Sequence, residues 1–111
     1  MARAHAEVRV HGRSHALSDA LFAGLAAEIK KDIKKAIKQG KDIDKMKRII
    51  TILQKEERLS NLNRDHYLNN SKDYYECKEC HIDPDWLLIY KIAKHNNELL
   101  LIRIGSHSEL F

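Results

Sequence analysis

A chain of 111 residues with 20 Lys and Arg against 16 Asp and Glu, a net charge of +4 and seven further histidines reads as one domain with a modest core and an anionic partner. No run approaches the ~18 apolar residues of a membrane span, and no basic segment leading into an apolar one marks export, so the sequence points to a cytoplasmic protein without a membrane partner. Two cysteines, Cys77 and Cys80, are too few for a disulfide framework, which agrees with a reducing compartment.

Residues 1–27 differ in character from the remainder of the chain: they hold eight alanines, three arginines and no lysine, whereas Lys30 to Arg48 alone holds eight lysines. The shift divides the chain into an atypical N-terminal extension, 1–27, native or foreign to the rest, and a domain over 28–111. Within the extension, Ala6 to Val10 alternates weakly as a short strand. Ser18 or Asp19 is placed to cap a helix through Phe22 and Leu25, and the Ala-rich stretch Leu17 to Ala26 suits helix.

From Ala26 on, Ile29, Ile33 and Ile37 recur at i, i+4, i+8, with lysines filling the other faces, and Gly40 stops the helix. Asp42 is placed to cap a second helix in which Ile43, Met46, Ile49, Ile50 and Leu53 keep the period to about Lys55. The two form a helical hairpin that lays its apolar stripe on a sheet. Lys30 to Arg48 carries nine positive and three negative side chains. That density suits a phosphate backbone, and it equally suits a solvated helix face.

Asn61 to Lys72 is polar and reads as a loop. Tyr74 to His81 is predicted as the first strand of a three-stranded meander, turning at Asp83-Pro84 into Trp86 to Tyr90 and, across Ala93 to Glu98, into Leu99 to Ile102. The predicted class is α+β, a helical hairpin packed on a small antiparallel sheet. Pairing the last two strands brings Asp85 and Arg103 to the same end of the sheet, with Gly105 as a flexible corner before His107.

Cys77-x-x-Cys80-His81 fits a haem attachment pattern and, less well, half of a zinc site. Haem of that type needs export, and zinc needs ligands beyond this cluster, for which His66 and His107 are the nearest candidates. The pattern therefore reads as two reduced cysteines on a strand, with no metal and no cofactor expected. What remains is a polar set suited to metal-free RNA cleavage, in which a 2'-hydroxyl loses a proton as it attacks phosphorus and the leaving 5'-oxygen gains one. Imidazoles serve either proton step, and an arginine fork offsets phosphoryl charge.

Two segments carry a family resemblance: Cys80-His81-Ile82-Asp83-Pro84-Asp85-Trp86-Leu87-Leu88-Ile89-Tyr90 and Arg103-Ile104-Gly105-Ser106-His107-Ser108-Glu109-Leu110-Phe111. In order and spacing they resemble the C-terminal half of the YafQ branch of RelE-type bacterial toxins, messenger-RNA interferases of toxin-antitoxin modules. The resemblance extends loosely from Lys30 to Phe111. It implies a RelE-like fold and a ribosome-dependent endoribonuclease leaving a 2',3'-cyclic phosphate and a 5'-hydroxyl. It also implies a cognate antitoxin similar to DinJ or RelB. It assigns catalysis to His66, His81, Asp85, Arg103 and His107 and RNA contact to Trp86 and Phe111, and it sets the cationic face of Lys34, Lys38 and Lys45 against RNA or antitoxin.

The rival reading is a non-catalytic basic RNA- or protein-binding module on the same fold, for which the full polar set ending at His107 is unnecessary. Two departures from the family pattern matter. Family members place a strand directly before the first helix, where this chain has Leu17 to Ala26, so the first strand is either displaced to Ala6 to Val10 or missing. Leu68 to Asp73 also lacks the glycine of the family's turn, which bears on where His66 sits.

Overall fold

The computed structural model describes residues 25–68, 72–93 and 98–111, together with the backbone of 6–9. The elements are β1 (Ala6–Arg9), α1 (Ala27–Lys38), α2 (Ile43–Gln54), a 3-10 turn (Asn61–Asn63), β2 (His66–Tyr67), β3 (Lys78–Asp83), β4 (Trp86–Ala93), β5 (Glu98–Gly105) and α3 (His107–Leu110). The strands form one antiparallel sheet in the order β1-β5-β4-β3-β2. This is the α+β arrangement that the hydrophobic periodicity predicts.

The helical hairpin forms for the reasons legible in the chain. The Asp42 side chain accepts from Lys45 N at 3.1 Å, capping α2. Gly40 takes the left-handed conformation at φ 74 that closes α1. Ile29 and Ile33 are buried, but Ile37 is 56% exposed and Ala36 is buried instead. At about 100° per residue, i+7 returns to within about 20° of the starting direction while i+8 overshoots by about 80°.

One sheet face packs on the helices, through Cys80, Ile82, Trp86, Leu88, Tyr90, Leu99, Leu101 and Ile104. On the other, Leu87 and Ile89 meet Tyr74, Cys77 and Leu110. Because β4 is covered on both sides, it reads as a continuous apolar run rather than an alternating one. Cys77 and Cys80 belong to these two different clusters and are both buried, which does not suit joint chelation of one ion. Burial pushes the Cys80 thiol well above its ordinary range, keeping it protonated.

Two sequence expectations are corrected. The strand expected over Tyr74 to His81 begins only at Lys78: Cys77 N donates to Tyr74 O at 3.0 Å in a turn, and Glu76 sits at φ 60, outside the extended region. The loop expected over Asn61 to Lys72 contains the 3-10 turn, capped by Ser60, and the two-residue strand β2. The displaced first strand is present: Ala6 opposes Leu101 and Arg9 opposes Glu98, making β1 the edge beside β5. The helix expected over Leu17 to Ala26 lies mostly outside the described residues. Its last two positions are not helical, Leu25 being buried in the core and Ala26 standing as the N-cap of α1.

Candidate active site

The sheet register places the polar set on the face away from the helices. His66 opposes Glu79, Glu79 opposes Ile89 and Ile89 opposes Arg103, a row across four strands, while His81 opposes Leu87 and Leu87 opposes Gly105. Side chains alternate along β3, so with Cys80 and Ile82 turned to the helices, Glu79 and His81 face the other way.

The short helix α3 completes the site. Ser106 and Glu109 form a reciprocal capping box. Glu109 also meets Lys35 Nζ on α1 at 2.5 Å, and that ammonium, with the Ser106 N–H, lowers its carboxyl pKa to about 2. Tyr74 donates its hydroxyl to Leu110 O at 2.9 Å, and Leu110 is buried. Gly105 makes room at the corner, since an added Cβ would lie 3.0 Å from Glu109 Oε1 and 3.1 Å from Leu110 Cδ2, and both side chains would have to give by a few tenths of an ångström.

With α3 fixed in this way, His107 projects beside the β3–β4 turn. Asp85 Oδ1 accepts from His107 N at 3.1 Å and lies 3.0 Å from His107 Nδ1. The backbone bond first, and the imidazole bond second, hold the Asp85 carboxyl below its usual range. A carboxylate on Nδ1 fixes the tautomer and leaves Nε2 for chemistry. The His81 ring lies 5.8 Å from that of His107, centroid to centroid, and Phe111 lies 6.2 Å from His107 on its other side. Phe111 also makes an edge contact with Tyr74 at 5.4 Å.

His81 is nearly buried. Its Nδ1 is 3.2 Å from Pro84 O, a carbonyl that can only accept, so Nδ1 donates there. Nε2 lies 3.5 Å from Glu79 Oε1, which is also 3.4 Å from His66 Nε2. Glu79 therefore draws two of the predicted histidines together, with His66 anchored further by its Nδ1 to Arg64 O at 2.6 Å. Sequence reasoning missed Glu79, although the chain carries a signal for it: an acidic residue two positions before His81 on a strand lies on the same face.

Arg103 is not paired with Asp85, despite sharing its end of the sheet. Its Nε and Nη2 donate to Asp32 at 2.6 and 3.1 Å, and Asp32 Oδ2 also accepts from Ile104 N at 3.0 Å, past the described pairing of β5 with β1. This pairing raises the Arg103 pKa above its ordinary value. Asp32 is a second residue that sequence reasoning missed, and no local pattern marks it, because its partners lie 71 and 72 positions away.

Two of the expected RNA contacts are placed differently. Trp86 is 2% exposed and packs in the helix-side core, where it bears on stability rather than offering a free ring. Lys45 is ion-paired with Asp83 and only half-exposed, whereas Lys34 and Lys38 are exposed on α1. Glu79, His81 and His107 present ligand atoms within 4.8 Å of one another, so this site is able to hold a metal ion as well as to move protons.

Residues 23–111 match the model of a family described as the bacterial toxin of type II toxin-antitoxin system, YafQ. The mRNA interferase toxin YafQ of Escherichia coli K12 is 36% identical over 72 residues, covering 64% of this chain and 74% of that relative. Among solved structures, a metal-bound toxin from Helicobacter pylori is similar at TM-score 0.71 and 38% identity, over 78% of this chain and 93% of that one. The toxin chain of the E. coli DinJ-YafQ complex is similar at TM-score 0.68 and 34% identity, over 78% and 91% of the two chains.

Proposed function

We propose, because this chain belongs to the YafQ family of toxins of bacterial type II toxin-antitoxin systems, that it is a ribosome-dependent endoribonuclease that cuts messenger RNA by general acid-base chemistry without a catalytic metal. The observation that carries the reading is the pair of imidazoles 5.8 Å apart at one end of the sheet, one tied through Nδ1 to a carboxylate and the other through Nδ1 to a carbonyl. Each then offers Nε2 to substrate. His81 takes the 2'-hydroxyl proton as the 2'-oxygen bonds to phosphorus, and the imidazolium formed meets Glu79. His107, as imidazolium, gives its Nε2 proton to the 5'-oxygen as the P–O5' bond breaks. Asp85 is committed to His107 with a lowered pKa, so it orients that ring rather than acting as the base. The products are a 2',3'-cyclic phosphate and a 5'-hydroxyl. Mapping both RNA ends after single-turnover cleavage on programmed ribosomes tests this, and a 3'-phosphate-free product or cleavage of naked RNA at the same rate would sink it.

Metal dependence separates this mechanism from a hydrolytic one. Cleavage is expected to survive EDTA once the ribosome's own magnesium is maintained, because His81 and His107 supply both proton transfers. One equivalent of zinc or copper per chain, with activity lost on its removal, would reassign Glu79, His81 and His107 as a catalytic metal site.

The partner expected to silence the toxin is an antitoxin of the DinJ or RelB type, as a DinJ complex is known for the E. coli relative. Lys34 and Lys38 on α1 give it, or ribosomal RNA, a cationic surface. Reversing both charges is expected to weaken ribosome association and to lower its salt slope by about one for each phosphate no longer neutralised. An unchanged slope would make this helix face a solvated surface. Lys45 is left out of the test because its loss would also unpair Asp83.

A further inference from the structure

A groove of about 620 Å³ opens on the far side of Pro84, between α2, the Asn61–Asn63 turn and the end of β3. Its floor is apolar, with Ile49, Ile52 and Ile82, and Leu62 stands at its edge 89% exposed. Arg48 and Arg64 form its cationic rim; among the described residues they are exposed and enter no ion pair, unlike Lys45, which is neutralised by Asp83. His81 and Pro84 line the end nearest the imidazole pair.

This groove and the candidate active site are mechanically one unit. Asn63 Nδ2 donates to His81 O at 2.7 Å, and His66 Nδ1 bonds Arg64 O at 2.6 Å. Arg64 itself is held in the left-handed conformation, φ 49 and ψ 47, as the cap of the 3-10 turn. A non-glycine residue held there is uncommon, and it turns the chain sharply between the groove and His66.

Resting on the endoribonuclease reading, we propose that this groove is a nucleotide subsite for single-stranded RNA next to the scissile bond, with Arg48 and Arg64 on a phosphate and the base lying over Leu62 and Pro84. Forked, unpaired guanidiniums match phosphate, and an apolar platform accepts the face of an unstacked base. The imidazoles lie on the sheet face away from the helices and the groove on the helix side of β3, so an RNA strand with its reactive phosphate between His81 and His107 reaches the groove by crossing Pro84 in the β3–β4 turn. A protein strand fits less well, because Asn63 Nδ2 already occupies His81 O on the β3 edge that lines the groove.

The test uses a short single-stranded RNA with a 2'-deoxy substitution at the cleavage position and 4-thiouridine beside it, bound to the full chain. Crosslinks are expected within Leu62 to Arg64 or at Pro84. The pair of substitutions Arg48→Glu and Arg64→Glu is expected to weaken binding about tenfold or more and to reduce the salt slope by about 0.7, one single-strand phosphate contact. Arg48→Lys with Arg64→Lys should retain most affinity, and all variants should melt with the parent because both side chains are exposed. Unchanged affinity and slope, or crosslinks elsewhere, would overturn the subsite. So would a charge-reversed protein that binds the RNA normally but escapes its co-purified antitoxin, which would make the groove an antitoxin surface. A parent chain that crosslinks in the groove yet leaves programmed ribosomes uncut would remove the catalytic reading and keep the subsite.

Discussion

Changing His107 to Gln is expected to slow single-turnover cleavage on programmed ribosomes roughly 10²- to 10⁴-fold, with ribosome association little changed. Gln keeps a polar side chain of similar reach, so α3, held by Tyr74, Leu110 and the Ser106–Glu109 capping box, stays docked. What it removes, in the proposed mechanism, is the proton that Nε2 delivers to the leaving oxygen. Deleting Phe111 acts differently. The ring is 56% exposed beside His107 and suits stacking on a base, worth about 1–3 kcal/mol, so its loss should appear in substrate positioning more than in the proton step. A rise in the observed rate with added imidazole in the Gln variant would support the acid role. A Gln variant cutting at the parent rate would remove His107 from the mechanism.

The second large effect is expected at Asp32, whose carboxylate is taken up by Arg103 and Ile104 N. Arg103 has five N–H donors, and Asp32 takes one from Nε and one from Nη2, leaving three that in the proposed mechanism meet phosphoryl oxygens. Removing Arg103 as Ala should cost about 10²- to 10³-fold in rate, the size seen when a preorganised oxyanion donor is removed. Asp32→Asn keeps the shape and an acceptor for Ile104 N–H but cannot take both guanidinium donors, so the fork loses its fixed direction. We expect at least a tenfold loss in the cleavage step with ribosome binding preserved, and no further loss when Asp32→Asn is added to Arg103→Ala. Such non-additivity identifies a positioning residue acting through Arg103, with a coupling of about 0.5–3 kcal/mol. Equal losses in both backgrounds would show that Asp32 serves only the β5 edge.

The chain by itself determines the parts of this protein governed by local rules. The period of Ile29, Ile33, Met46, Ile49, Ile50 and Leu53, the Asp42 cap and the Gly40 stop define the helical hairpin, because each acts within one or two turns. The apolar runs beginning at Trp86 and Leu99 define the central strands, and the two C-terminal motifs carry the family and most of the polar set. Only the tertiary structure decided the rest. Two-residue β2 exists through its pairing with β3, which a local window cannot see, and β1, legible as a short strand at Ala6 to Val10, is given its place at the sheet edge only by its pairing with β5. Trp86 lies in the motif yet is buried, since its direction is set by the alternation of a strand covered on both faces. The partners of the site residues follow the same logic. Asp85 meets His107 because α3 folds back over the β3–β4 turn, Glu79 gathers His66 and His81 because cross-strand register puts them on one face, and Arg103 turns to Asp32 because α1 packs on β5. Residue types are written in sequence, but which charge neutralises which depends on contacts between positions far apart in the chain.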